Sequence, residues 1–339
     1  MPCLNANSTA DRVGGLYLLS FQASLDIFML MLIIVINTFI IFSVLSCRLM
    51  KSGELWISRA SSRFIVNLAA ADLWVALTTL YYFSFRYVCE LSQDHERWSC
   101  LLRFFFITNS LLTSACSMVA IAVDRYVAVV HALRYRELMS YRRSTFMIIF
   151  AWCFPVITSS PVLYWNNWSP QLDCTVENVV PFLLVCCVGI CTHGLVVTVV
   201  AVTHYRIHRE AQEINNRRRS TESGSSFYSS AETVPSSTPL MNSKSARTVL
   251  LVTGCYLTCW SPYTIMYFIR MTGYSTPVFE VCYSFSHTFA NINYMINPFI
   301  YAWRNTSVKC AIIRTCKKLR IFKSPSINGN RRIPTLRPL

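Results

Sequence analysis

Charged residues are scarce in this chain, and the places they avoid are informative. Only 14% of the 339 residues are Asp, Glu, Lys or Arg, against roughly 25% in a soluble globular domain. Whole stretches of about 20 residues hold none, which excludes a water-exposed helix and points to a bilayer as solvent. No internal repeat of the kind that marks transporters is visible, and Asp72 is the one mid-span charge where a transporter or channel would want several. Metal or nucleophile clusters are also missing. His193 and His287 stand singly on different stretches without ligand spacing, so no enzyme is expected. Residues 1–20 lack the basic start and apolar core of a secretory signal, so the first membrane helix is expected to serve for insertion.

What the chain does contain is apolar: 53% of it is hydrophobic. Seven stretches are long enough to cross a hydrocarbon core as helices, the form that pairs its own backbone groups in lipid. They are Ile27–Leu45, Phe64–Phe85, Phe104–Val123, Phe146–Tyr164, Val179–Val202, Thr248–Ile269 and Val281–Trp303. Spans are predicted over about 24–46, 62–87, 98–130, 144–165, 179–207, 245–270 and 277–303. The fold class is therefore all-α, a seven-transmembrane helix bundle occupying 24–303. Placing the N-terminus (1–23) outside puts 26 of the 31 Lys and Arg residues on the cytoplasmic side, which is the orientation the positive-inside rule selects. The same distribution explains the net charge of +15 without a nucleic-acid partner. The sequons at Asn7 and Asn167 fall outside, where glycosylation occurs. The one at Asn305 falls inside and is discounted.

The stretch 209–243 is polar, rich in Ser, Thr and Arg, and without apolar periodicity. It is expected to be a disordered cytoplasmic loop, a kinase target or a plain solvated linker. Residues 304–319 interleave apolar and basic residues, as a short amphipathic helix on the inner leaflet does, before a tail over 320–339. Cys310 and Cys316 in that helix are candidates for palmitoylation, with free thiols as the alternative. Most of the chain's 15 cysteines lie inside apolar runs and read as small hydrophobes. Cys100 and Cys174 are different, because both fall on the oxidising side, where a disulfide between them would tie a loop across the mouth of the bundle.

A charge inside a span is costly and marks function by default. Asp72 is such a charge, with Asn37, Ser114, Asn293 and Asn297 as polar residues at similar depth. Two readings stand: an oxygen cage for a small hard cation, or a hydrogen-bonded polar knot. Arg125, in Asp124-Arg125-Tyr126 at the inner end of the third span, is either a functional cation or a side chain that snorkels to the interface.

Taken in order, these features resemble the rhodopsin-like G-protein-coupled receptors over Leu25 to Cys316. The chain carries Asn37 on the first span, Asn67-Leu68-Ala69-Ala70-Ala71-Asp72-Leu73 on the second and Asp124-Arg125-Tyr126 at the end of the third. Trp152 follows on the fourth, Tyr205 on the fifth, Cys259-Trp260-Ser261-Pro262 on the sixth and Asn297-Pro298-Phe299-Ile300-Tyr301 on the seventh. The resemblance implies a plasma-membrane receptor that passes an extracellular small-molecule signal to heterotrimeric G proteins, with arrestin and receptor kinases as further partners. It assigns Asp72, Ser114, Asn293 and Asn297 to a sodium pocket and Trp260 to a switch beneath the ligand. It assigns Arg125, Tyr205 and Tyr301 to the inner face that opens for the G protein, with Pro262 and Pro298 in the helices that move. Val197 stands where many members have proline, as in the melanocortin, adenosine, cannabinoid and lysophospholipid branch. Asn242 stands where an acidic residue often holds the third-span Arg, which leaves a receptor signalling largely through basal activity as an alternative.

The ligand is constrained mainly by exclusion. The position matching the amine receptors' acidic residue on the third span is Ile107, which disfavours a simple biogenic amine. None of the six lysines lies in a span, so a retinal Schiff base has no anchor. Arg86 and Arg103, near outer span ends, are candidates for a carboxylate or phosphate fork, with snorkelling or pairing to Glu90 as the alternative. Phe104, Tyr267, Tyr283 and His287 join Ile107 as pocket candidates, making an aromatic, mostly apolar cavity for an apolar or anionic ligand.

Overall fold

The computed structural model describes residues 9–50, 60–87, 96–224, 238–304 and 306–319. Among them there is no strand. The long helices are α1 (Thr9–Met50), α2 (Ala60–Tyr87), α3 (Arg97–Val130), α4 (Tyr141–Ser159), α5 (Phe182–Gly224), α6 (Thr238–Met271) and α7 (Pro277–Arg304), followed by α8 (Thr306–Lys318). Asn7 and the tail over 320–339 lie outside the described residues, as do residues 51–59 between α1 and α2.

The helices close into a ring by neighbour packing. α1 packs on α2 and α7, α5 on α6, and α6 on α7, while α3 touches α2, α4, α5 and α6 and so runs through the middle. Burial follows position. In the most apolar stretch of each helix, 61% of residues are buried in α2 and in α3, against 33% in α1 and 22% in α4. The remaining large side chains of α1 and α4, such as Phe28, Val35, Phe146 and Ile157, are exposed, as lipid-facing residues are. Four helical stretches among the described residues are long and apolar enough to cross a membrane: Ser20–Ser46, Ala60–Ser84, Arg97–Ala128 and Tyr141–Tyr164.

Lipid offers no hydrophobic drive between helices, so buried polar side chains hold them together. Asn37 Nδ2 donates to the Tyr294 carbonyl at 3.2 Å. Asn67 donates to Ser117 Oγ at 2.8 Å and accepts from Trp152 Nε1 at 2.8 Å, joining α2, α3 and α4. Thr78 donates to Ser110 at 2.7 Å across α2 and α3.

Helix ends follow local chemistry. Ser140 caps α4 by accepting from the Arg143 amide. α6 ends at Gly273, whose φ of 85° suits a residue without Cβ and whose amide donates to the Arg270 carbonyl. α8 is amphipathic: Val308, Ala311 and Thr315 are buried, while Lys309, Arg314 and Lys317 face outward, the i, i+3, i+7 spacing of one helix face. One expectation needs correction. The polar stretch 209–243 is helical as far as Gly224 and again from Thr238. Its apolar periodicity is poor, but pairs such as Arg209–Glu213 at 3.3 Å, one turn apart, support a helix that needs no buried face. Residues 225–237 lie outside the described part.

Candidate functional site

In the outer half of the bundle the helices leave a cavity of about 250 Å³. α3 supplies Phe104, Ile107, Thr108, Leu111 and Ser114; α5 supplies Leu184, Val185, Val188 and Gly189; α6 and α7 supply Trp260, Tyr263, Tyr267, Tyr283 and His287. The described lining residues include no Asp, Glu, Lys or Arg. Its aromatic wall is continuous. Tyr263 stacks on Tyr283 with ring centroids 5.4 Å apart, meets His287 edge-on at 5.2 Å, and reaches Trp260 at 5.9 Å. Trp260 in turn meets Tyr294 at 6.0 Å. Such edge and offset contacts are the favoured ring geometries. Trp260 lines the cavity, and its buried indole N–H has no hydrogen-bond partner among the described residues.

Directly below lies Asp72, fully buried. Ser114 Oγ donates to Oδ1 at 2.7 Å and Asn297 Nδ2 to Oδ2 at 3.1 Å. Ser114 therefore touches both the cavity and the carboxylate. Asn293, one helical turn before Asn297 on α7, is fully buried, and among the described residues neither of its side-chain polar atoms has a partner; Asn37 Oδ1 and Asn297 Oδ1 are likewise unpartnered there. Buried unpaired oxygens are costly unless water or an ion reaches them. A carboxylate, a hydroxyl and amide oxygens form the oxygen-only donor set that a hard cation takes.

At the inner end the arrangement is charged and internally satisfied. Arg125 pairs with Asp124, its Nε 3.0 Å from Oδ2. Asp124 also accepts from Ser61 Oγ at 2.9 Å and from the Tyr135 hydroxyl at 2.7 Å, and Arg125 donates to Ser61. Burial, with the Asp124 carboxylate beside it, pushes the Tyr135 phenol up to about 12, so it stays a donor across the physiological range. Two positions beyond Ser61, Arg63 of α2 donates to the Tyr141 carbonyl at 3.0 Å and to Thr145 at 2.7 Å and lies 4.1 Å over the Tyr141 ring, pinning α2 to the start of α4.

The sequence profile of the family described as 7 transmembrane receptor (rhodopsin family) matches residues 37–301. This chain belongs to that family. It is thus a multi-pass membrane protein of the G-protein-coupled receptor class. Similar proteins include the cannabinoid receptor type 1B of Takifugu rubripes, 24% identical over 300 residues that span 85% of this chain and 63% of that one. The human 5-hydroxytryptamine receptor 4 is 27% identical over 293 residues, covering 78% of this chain and 73% of the relative. Melanocortin receptor 5 of Sus scrofa is 27% identical over 257 residues, covering 71% and 77%.

Within this receptor the expected site residues are placed unevenly. Phe104, Ile107, Tyr267, Tyr283 and His287 line the cavity together. Arg103 does not line it: it is buried, with its guanidinium Nη2 2.6 Å from Cys174 Sγ. Cys174 is disulfide-bonded to Cys100. The side chains of Arg86 and Tyr301 lie outside the described residues. Tyr205 is 65% exposed on α5. Pro262 and Pro298 lie within α6 and α7. Asn167 is exposed in the loop before α5, and Cys310 is exposed and Cys316 half-buried on α8.

Sequence reasoning missed Ser61, Arg63 and Tyr135, which belong to no apolar run. It also missed Asp26. That carboxylate is 2% exposed in α1 and accepts from Thr288 of α7, which itself accepts from Gln22 Nε2 at 2.6 Å. Asp26 already falls inside the predicted span 24–46, but it stands one residue before the charge-free stretch that begins at Ile27, at the span's end, where a charge is ordinarily read as interfacial rather than buried.

Proposed function

We propose that the chain is a plasma-membrane receptor, N-terminus outside, that binds a small, uncharged, mostly apolar ligand in the outer cavity and activates a heterotrimeric G protein at its inner face. One observation carries this reading: a cavity without a described charged lining residue shares Ser114 with the polar centre of the bundle and has Trp260 among its lining residues. A ligand there meets apolar walls and phenols. A carboxylate or ammonium would find no described counter-charge on the walls, and burying an unpaired charge is strongly unfavourable. Of the two ligand classes the sequence leaves open, the lining favours the apolar one.

Function then follows from a two-state bundle. A ligand that prefers the state with a displaced Trp260 shifts the population toward it, and a G protein that prefers the same state is coupled to the ligand reciprocally. On the inner side that state frees Arg125 from Asp124. Arrestin and receptor kinases are the further partners of such a receptor, and the hydroxyl-rich segment around 220–237 suits the kinases.

Two experiments test the reading. Guanine-nucleotide exchange, measured in cells without ligand across the four G-protein families, is expected to fall to background in Arg125→Ala at equal surface expression. Exchange above background in the parent and unchanged in the variant would sink the mechanism. For the polar centre, Asp72, Ser114, Asn293 and Asn297 are proposed to hold a sodium ion that favours the resting state. Replacing sodium with a large organic cation is expected to raise basal exchange in the parent and to leave Asp72→Asn unaffected. Equal sodium sensitivity in both would refute the site.

A further inference from the structure

The outer rim of the cavity carries a charge cluster that the receptor mechanism does not use. Arg270, in the last turn of α6, pairs through Nε with Glu177 and through Nη1 with Glu280. Glu177 sits on the single-turn helix Val176–Val179, three residues after the disulfide-bonded Cys174. Glu280 is in the first turn of α7 and also accepts from Ser275 Oγ at 3.0 Å, within the turn that joins α6 to α7. One guanidinium thus joins three separate pieces of chain.

The cluster borders the cavity. The Arg270 guanidinium is 4.8 Å over the ring of Tyr283, and Tyr283, Tyr267 and Val176 all line the cavity. The side chains are neither surface ornaments nor core: those of Arg270, Glu177 and Glu280 are 22%, 26% and 12% exposed. An ion pair at that depth is stronger than a surface pair yet still reached by water, so it can open and close.

We propose that Glu177, Arg270 and Glu280 form an ionic strap that closes the mouth of the cavity from the aqueous side. With the strap shut, the loop residue Val176 and the Tyr263–Tyr283 stack are held over the cavity. Passage of any molecule from water requires Arg270 to release at least Glu177, the partner on the loop. The strap therefore sets the rate at which a ligand arriving from outside enters and leaves, and it does so without contributing a charge to the cavity wall. This goes beyond the ligand reading above and does not need it, because access to the cavity is measurable with no ligand and no G protein.

The experiment uses the full-length chain in intact cells with Ile107→Cys, which places a thiol on the cavity wall. Its rate of modification is followed with two membrane-impermeant methanethiosulfonates, one carrying a sulfonate and one a trimethylammonium group. The chain without that cysteine supplies the background from native thiols. Arg270→Gln and Glu177→Gln are each compared with the intact strap. Opening of a strap speeds both reagents, by about threefold to tenfold for a partly buried pair, and the double variant is no faster than the faster single one. Three results would overturn the proposal. Unchanged rates in both variants would show that the mouth is not closed by these residues. One reagent speeding while the other slows would show a change of local field only. Additive effects of the two variants would show two independent contacts. Where Arg270→Gln lowers surface expression by leaving Glu280 unpaired, Glu177→Gln decides alone, since it removes only the loop's partner.

Discussion

The two ends of the bundle solve opposite problems. The outer half is spacious, aromatic and uncharged along its described walls, with the Trp260 indole N–H left without a partner among the described residues. The inner half is closed, and Arg125 is held by Asp124 and Ser61 while Tyr135 and Ser61 complete the carboxylate. One end has room for a guest; the other satisfies its charges internally. In the proposed mechanism a G protein competes with those internal pairs, and the two-state balance is set by filling space at one end and by releasing satisfied charge at the other.

The largest expected effect comes from dismantling the outer wall. The Cys100–Cys174 disulfide closes a sequence separation of 74 residues and anchors the loop that carries Val176 and Glu177. Losing a native disulfide typically costs about 2–5 kcal/mol. Cys100→Ser is therefore expected to lower surface expression several-fold, read by antibody labelling of intact cells. Normal surface levels would mean that the outer wall stands without it. A smaller effect sharpens the inner side of the comparison. Tyr135→Phe removes one hydrogen bond to Asp124, worth about 1 kcal/mol, so basal nucleotide exchange is expected to rise by up to about fivefold. A fall, or no change, would mean that Tyr135 does not help to hold Arg125.

Much of the architecture was legible because lipid makes strong demands on sequence. Charge-free stretches such as Val179–Val202 announce a span by themselves, and the Lys and Arg bias orients the chain. Of the five cavity residues, Phe104, Tyr267 and Tyr283 were reachable as aromatics near span ends, His287 as a lone polar ring inside the seventh span, and Ile107 only through the resemblance, as the position matching the amine receptors' acidic residue. What stayed hidden depends on contacts between distant segments. Ser61 and Tyr135 are ordinary loop-edge residues until the fold brings both to Asp124. Arg270 and Glu280 are unremarkable near a short turn until Glu177 arrives from another loop. Arg103 left two readings open, an anion fork or a snorkelling side chain, and neither describes a guanidinium lying on a disulfide sulfur. The helical part of α5 beyond Tyr205 was missed for another reason: a solvated helix held by pairs one turn apart leaves no apolar period to read.

The central claim is that the outer cavity controls the inner charge cluster. It is tested most directly by filling the cavity with the protein's own atoms. Ile107→Trp adds a bulky side chain to a half-buried lining position, and basal nucleotide exchange is measured at matched surface expression, alone and in the Arg125→Ala background. The account predicts that exchange changes by at least about threefold, equivalent to a shift of roughly 0.6 kcal/mol between the two states, and that the change vanishes when Arg125 is absent. Exchange identical to that of the parent receptor would contradict it.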